Sequence, residues 1–121
     1  MDLTLQKNSS KNIIQNYEDN KIYVDGKKYP YNLIITENGV ERWEISNLEQ
    51  LSFDSLKHII DKKPDIIILG TGDQATLPNQ DIINKVSDNG VGIEFMTTKS
   101  ACKTFNVLLS EDRKVIALLI V

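Results

Sequence analysis

Ile66-Ile67-Ile68-Leu69-Gly70-Thr71-Gly72, in the second half of the chain, is the stretch on which the fold turns. Four consecutive apolar residues closed by glycine read as a strand covered on both faces, because a strand with one wet face alternates instead. The run therefore predicts a central strand with a layer on either side. Before it, Phe53, Leu56, Ile59 and Ile60 recur at helical spacing behind Ser52 and Asp54, either of which can cap, and Pro64 sets the limit of that helix. After it, a second helix is predicted from Pro78, with Asp81 in its first turn and Ile82, Ile83 and Val86 inward. Asn89-Gly90 supplies a left-handed C-cap.

Val91 to Met96 reads as the next strand. Thr97 or Thr98 caps a third helix whose Ala101, Phe105 and Leu108 lie at i, i+4 and i+7, one apolar stripe. Val115 to Ile120 is the last strand, so the second half reads αβαβαβ. The first half reads as antiparallel β. Ile22 and Val24 precede Asp25-Gly26, and Tyr31, Leu33 and Ile35 alternate with Asn32 and Thr36 before Asn38-Gly39, two dipeptides that tolerate positive φ. Three strands and two turns follow. The third strand, Val40 to Ile45, slips in phase between Val40 and Trp43, which predicts a bulge. A further short strand is expected near Ile13 to Tyr17, and residues 1–12 are expected to be a tail or an edge. The whole chain, 1–121, is expected to be a single domain.

With 121 residues the chain can bury roughly two-thirds of its unfolded surface. Its 40% hydrophobic and 26% charged residues are ordinary for a globular protein. A net charge of −3 argues against nucleic acid, whose phosphates call for clustered Lys and Arg. One cysteine, Cys102, and one histidine, His58, allow no internal disulfide and no thiolate metal cage, so no structural metal is expected. The opening residues lack the apolar core of a signal peptide, and Val115 to Val121 is too short to span a bilayer. A cytoplasmic protein without a membrane span is the expectation.

Gly70-Thr71-Gly72-Asp73-Gln74-Ala75 matches the dinucleotide pattern G-x-G-x-x-G/A behind a buried strand. Its context does not fit. Pro78 delays the helix whose N-terminus should hold the pyrophosphate, and Asp73 would place negative charge beside phosphate. No cofactor is expected there, and the plain reading is a tight glycine turn. The position still matters, because open α/β sheets bind ligands beyond the carboxyl ends of parallel strands. If the strands at 66–69 and 91–96 are parallel neighbours, Gly70 to Gln74 lies beside Met96 to Thr98. Cys102 sits in the first turns of the third helix, where the helix dipole can lower a thiol pKa, but its one available base is His58 on another helix. Core packing is the simpler reading. No catalytic residue is assigned. The candidate ligand or partner residues are Gly70, Thr71, Gly72, Asp73, Thr98, Lys103, Thr104, Asn106, Glu111 and Arg113. For the polar group of the third helix the alternative is structural bracing, since Asn inside a helix often bonds a neighbouring segment.

The stretch Met96-Thr97-Thr98-Lys99-Ser100-Ala101-Cys102-Lys103-Thr104-Phe105-Asn106-Val107-Leu108-Leu109-Ser110-Glu111-Asp112-Arg113 resembles the signature of the Mth-type domain family of uncharacterised small proteins. The loop Gly70-Thr71-Gly72 and Trp43 after a hairpin are similar too. The match covers about Ile13 to Val121. Thr97 stands where the family has an acidic residue, Lys103 where it has arginine, and Asp112 where it has glycine. The resemblance implies a three-layer α/β fold: a central mixed sheet, helices on one side and an N-terminal antiparallel β layer on the other. It implies no reaction. One eukaryotic branch resembles an assembly factor of respiratory complex I, so the resemblance points to a non-enzymatic protein-interaction or assembly role with a protein partner. The alternative is a small-ligand-binding module or enzyme using the glycine loop and the third helix. A broad exposed apolar patch would favour the first, and a deep pocket lined by Thr71, Asp73, Thr98 and Asn106 the second.

Overall fold

In the computed structural model, which describes residues 13–121, the first three strands close on each other. Strands β1 (Ile14–Glu18), β2 (Lys21–Val24) and β3 (Lys27–Tyr29) form an antiparallel sheet of their own. Asp19 and Asn20 at the first turn, and Asp25 and Gly26 at the second, all have positive φ. That is the backbone of a type I′ turn, whose twist matches the strands it joins. The Asp25-Gly26 turn is the one read from the sequence.

The remaining elements are β4 (Leu33–Thr36), β5 (Gly39–Arg42), a short 3-10 helix at Leu48–Gln50, α1 (Phe53–Ile60), β6 (Ile66–Gly70), α2 (Gln80–Asp88), β7 (Gly92–Met96), α3 (Thr98–Ser110) and β8 (Val115–Leu119). The strand expected from Tyr31 is β4, beginning at Leu33, and β3 before it is a further strand, which belongs to the other sheet. Pro30, which has no N–H to give a ladder, separates them. The residues turning between β4 and β5 are Glu37 and Asn38, and Gly39 already pairs with Thr36. The expected bulge between Val40 and Trp43 is absent, since Leu33↔Arg42 to Thr36↔Gly39 pair in unbroken register. The change of phase instead marks the end of the strand, after which Trp43 and Ile45 fold inward. An irregularity does occur in β1, between Ile14 and Asn16.

Five strands make the central sheet, in the order β5-β4-β8-β6-β7. β6 runs parallel to both β8 and β7, while β4 is antiparallel to β8 and β5. As its apolar run required, β6 is interior and buried along its whole length. The helices start where their caps are, so α2 begins at Gln80 and not at Pro78 as expected. Ser52 and Ser55 form a reciprocal capping box on α1, Asn79 accepts from Asp81 N on α2, and Thr97 accepts from Ser100 N on α3.

The three layers are those expected, with one refinement. Ile67 and Leu69 face Leu56, Ile59, Ile82 and Val86, so α1 and α2 cover one side. Ile66 and Ile68 face Ala101, Phe105 and Leu109 together with Ile14, Ile22 and Val24, so α3 shares the other side with the small sheet. Chirality explains the division. The step from β6 to β7 crosses the sheet in one direction and the step from β7 to β8 crosses back, and right-handed connections then place α2 and α3 on opposite faces. The carboxyl ends of β6 and β7 are therefore a topological switch point, the place where sheets of this kind open a crevice.

Candidate functional site

At that switch point the two loops lie side by side, as the parallel pairing of β6 and β7 requires. Thr71 N donates to Met96 O and Thr98 N to Gly72 O, both at 2.9 Å. Gly72 N donates to the Thr98 hydroxyl at 2.9 Å, and that hydroxyl donates onward to Ile120 O. The Thr71 hydroxyl gives its proton to Gln74 O at 2.6 Å and accepts from Thr76 N at 3.0 Å. The polar atoms that could meet a ligand are largely spent on one another. Gly72 has a φ of 96°, the turn glycine of the plain reading. Gly70 is needed for closeness instead, because a Cβ there would stand 3.0 Å from Thr98 Cα, Thr98 Oγ1 and Leu119 Cδ2. Gly70→Ala is expected to cost about 1 to 3 kcal/mol by overpacking. An unchanged denaturant midpoint would show that the loops are not packed this tightly.

Nucleotide chemistry has little to hold here. The first-turn amides of α3 at Thr98 and Ser100 are bonded to Gly72 O and to the Thr97 hydroxyl, and α2 begins only at Gln80. Calorimetric titration with NAD or ATP should give no binding heat, and stoichiometric micromolar binding of either would overturn this reading of the loop.

The third helix distributes its candidate residues along its length rather than around one point. Thr98 is fully buried at its start and Asn106 is 3% exposed in its middle. Asn106 Oδ1 accepts from Ile14 N at 2.9 Å and its Nδ2 donates to Ile14 O at 2.8 Å. Lys103 is exposed, and the half-buried Thr104 directs its hydroxyl to Met96 Sδ at 3.4 Å. Glu111 and Arg113 are exposed at the far end, roughly 20 Å from the glycine loop at 1.5 Å per residue. They do not pair with each other; among the described residues the ion pair is Arg42 with Glu44, at 3.7 Å. Asp112 has a φ of 59°, in the left-handed region that favours glycine. Arg113 N bonds Leu108 O and Asp112 N bonds Leu109 O, so the left-handed helix ending is kept with aspartate.

Asp73 is exposed at the loop tip, near Tyr17 of β1, whose phenol is raised above its ordinary pKa by burial first and then by Asp73 and Cys102. Cys102 is wholly buried against the α3 face of the sheet, and burial pushes its thiol up to about 12. His58 is exposed on α1, on the sheet's other side, so thiol and imidazole do not meet. Ellman's reagent should find no thiol in the native protein. A raised thiol pKa favours the folded state below the ordinary value of 9.0, and that contribution is lost as pH rises from 9.0 towards 12. Cys102→Ala should therefore flatten the alkaline loss of stability; native labelling at neutral pH would contradict this burial. Among the described residues no three His, Cys, Asp or Glu side chains converge to hold a metal ion.

A second surface was not singled out from the sequence. Beside β5, Ile34, Trp43 and Ile45 floor a groove of about 740 Å³, rimmed by Glu41, by Arg42 with its ion-pair partner Glu44 and, from α1, by Ser55 and His58. The signal available was a lone tryptophan directly after a hairpin, but which face it joins depends on the strand ending at Arg42. Neither discriminating feature takes its simple form. Thr98 and Asn106 are buried, and of the large exposed apolar side chains among the described residues, Leu77 lies in the loop before α2 and Val107 on α3.

A mixed five-stranded sheet with helices on both faces and a separate three-stranded β layer defines an α/β domain of the Mth938-like class. A Bordetella pertussis protein described as a Mth938-like domain shares this fold with a TM-score of 0.81, 21% identity, and coverage of 99% of this chain and 92% of that one. The chain belongs to the family described as proteins of unknown function, DUF498/DUF598, whose model matches residues 14–120. A Francisella tularensis protein named 13 kDa major membrane protein is 32% identical over 108 residues, which is 83% of this chain and 88% of that protein. The Xenopus tropicalis NADH dehydrogenase [ubiquinone] 1 alpha subcomplex assembly factor 3 is 28% identical over 109 residues, 88% of this chain and 60% of that protein. The resemblance carried by Met96 to Arg113 is thus confirmed at the level of family and fold. Among the described residues no helix is long and apolar enough to cross a membrane.

Proposed function

We propose that the chain is a non-enzymatic interaction or assembly domain that works by holding a protein partner. One observation carries the reading: at the switch point, where this kind of sheet would place a ligand, Gly72 and Thr98 bond each other and Thr71 bonds Met96, Gln74 and Thr76. The name of the Xenopus relative, an assembly factor aligned along most of this chain, supports the kind of role. The buried Cys102 and distant His58 supply no nucleophile and base.

Affinity purification from the native cell, followed by mass spectrometry of retained proteins and metabolites, tests the proposal. A stoichiometric protein partner is the expected result. A stoichiometric metabolite that is lost on Asp73→Ala would replace it with the small-ligand alternative at Gly70 to Asp73. The proposal keeps the cytoplasmic location expected from the sequence. Fractionation of cells into membrane and supernatant checks it, a separate question because the Francisella relative carries the name of a membrane protein.

A further inference from the structure

We infer that the open edge of β5 receives an extended, basic segment of a protein partner as a sixth strand of the central sheet, with an apolar side chain of that segment resting on Trp43. The inference rests on the assembly reading above and gives its partner a chemistry.

β5 is the last strand in the sheet order. Trp43 N donates to Asn32 O at 2.8 Å, which fixes the alternation of the ladder. Gly39 and Glu41 exchange their bonds with Thr36 and Ile34, and Val40 and Arg42 turn their N–H and C=O groups to the open side. An edge of this kind is a template for strand addition.

The groove beside it offers the side-chain half of the recognition. Its volume of about 740 Å³ is far more than one side chain needs. Trp43 is only 6% exposed, yet its indole N–H has no acceptor among the described residues. No buried polar side-chain atom among the described residues is left unsatisfied, so this N–H reaches solvent, on a residue that lines the groove. A buried indole normally has a partner, and a main-chain carbonyl of an added segment would serve.

Charge selects the segment. Glu41 stands cross-strand from Ile34 and so on the groove side. The Arg42 guanidinium leans the other way, 4.6 Å over the ring of Tyr31. A strand added to β5 therefore meets a carboxylate and then an indole on the groove face, which suits Lys or Arg followed two residues on by an apolar side chain. A second copy of β5 centred on Glu41 would set that carboxylate against itself, an unfavourable pair.

The chain has one tryptophan, so its fluorescence reports on the groove. The probes are two synthetic peptides of alternating pattern, Lys-Thr-Leu-Thr-Lys-Thr-Leu and its Glu-for-Lys counterpart. The lysine peptide should change Trp43 emission saturably and slow amide exchange at Val40 and Arg42, and the glutamate peptide should do neither. Glu41→Lys should weaken the lysine peptide about tenfold. Arg42→Pro, which removes an outward N–H, should abolish binding if the variant folds; Glu41→Lys decides the matter if it does not. The inference is overturned if the lysine peptide leaves emission and amides unchanged, or binds Glu41→Lys as tightly as the parent. It is also overturned if those amides are already protected by a concentration-dependent dimer, which would make a second copy the occupant. A cellular partner retained equally by the parent and by Glu41→Lys would sink this edge while leaving the assembly reading intact. Retention of no partner would sink the assembly reading, and the peptides would still decide the edge.

Discussion

Phe105→Ala should lower stability by about 3 to 5 kcal/mol, a large share of what a domain of this size has. Phe105 is the largest of the fully buried side chains. Its cluster joins residues of three layers: Ala101 and Leu109 of its own helix, Ile68 and Ala117 of the central sheet, and Ile14, Ile22 and Val24 of the small sheet. Removing the ring loses its transfer energy and leaves a void that three separately anchored elements cannot jointly close. Chemical denaturation checks this. The midpoint should fall with the slope unchanged, and a loss below about 1 kcal/mol would mean that the ring is not the joint between the layers.

Asn106→Ala should cost about 2 to 4 kcal/mol, more than its size suggests. Its carboxamide takes both main-chain groups of Ile14, the N–H at 2.9 Å and the C=O at 2.8 Å, and Ile14 is wholly buried. The side chain thus acts as a one-residue substitute for a neighbouring strand. Alanine would leave a donor and an acceptor in an apolar surrounding, each worth about 1 to 3 kcal/mol unsatisfied. Arg113→Ala, at an exposed position, should stay within about 0.5 kcal/mol. Hydrogen exchange should show β1 losing protection in Asn106→Ala before the central sheet does. If Asn106→Ala matches Arg113→Ala in stability, the carboxamide is not the brace and its role in a site is open again.

The sequence made the second half plain because each element there carries its own signature. Ser52 and Thr97 cap helices whose apolar residues keep a 3.6 period, and the run at Ile66 is too uniform for an edge, whereas the Asn79 cap of α2 was hidden by Pro78 before it. In the first half, local pattern does not say which strands belong together. Tyr29 and Leu33 both look like strand residues, but the decision to leave one sheet for the other is made by Pro30 and by the distant slot beside β8. The site was less legible still. The glycine loop and its neighbour at Met96 to Thr98 were placed correctly, since parallel pairing follows from βαβ order. That their donors are used up internally depends on hydrogen bonds such as Gly72 N to Thr98, which no spacing reveals. The Trp43 groove needs the end of β5, the position of α1 and the exposure of one N–H to be known together.

β8 lies between β4 and β6, although it comes after both along the chain. Its pairing joins Leu33 to Leu119 and Ile66 to Val115, contacts of long sequence separation. During synthesis the β4–β5 hairpin and the β6–β7 pair are made early but cannot touch through the sheet, because the strand that bridges them emerges later. Each would meanwhile show an unpaired flank beside apolar residues such as Ile34 and Ile67. Loop closure over such a span slows folding and lengthens that exposure. Insertion of β8 is thus the committing event, and a chain stopped short of Val115 should be a client for chaperones rather than a smaller working domain.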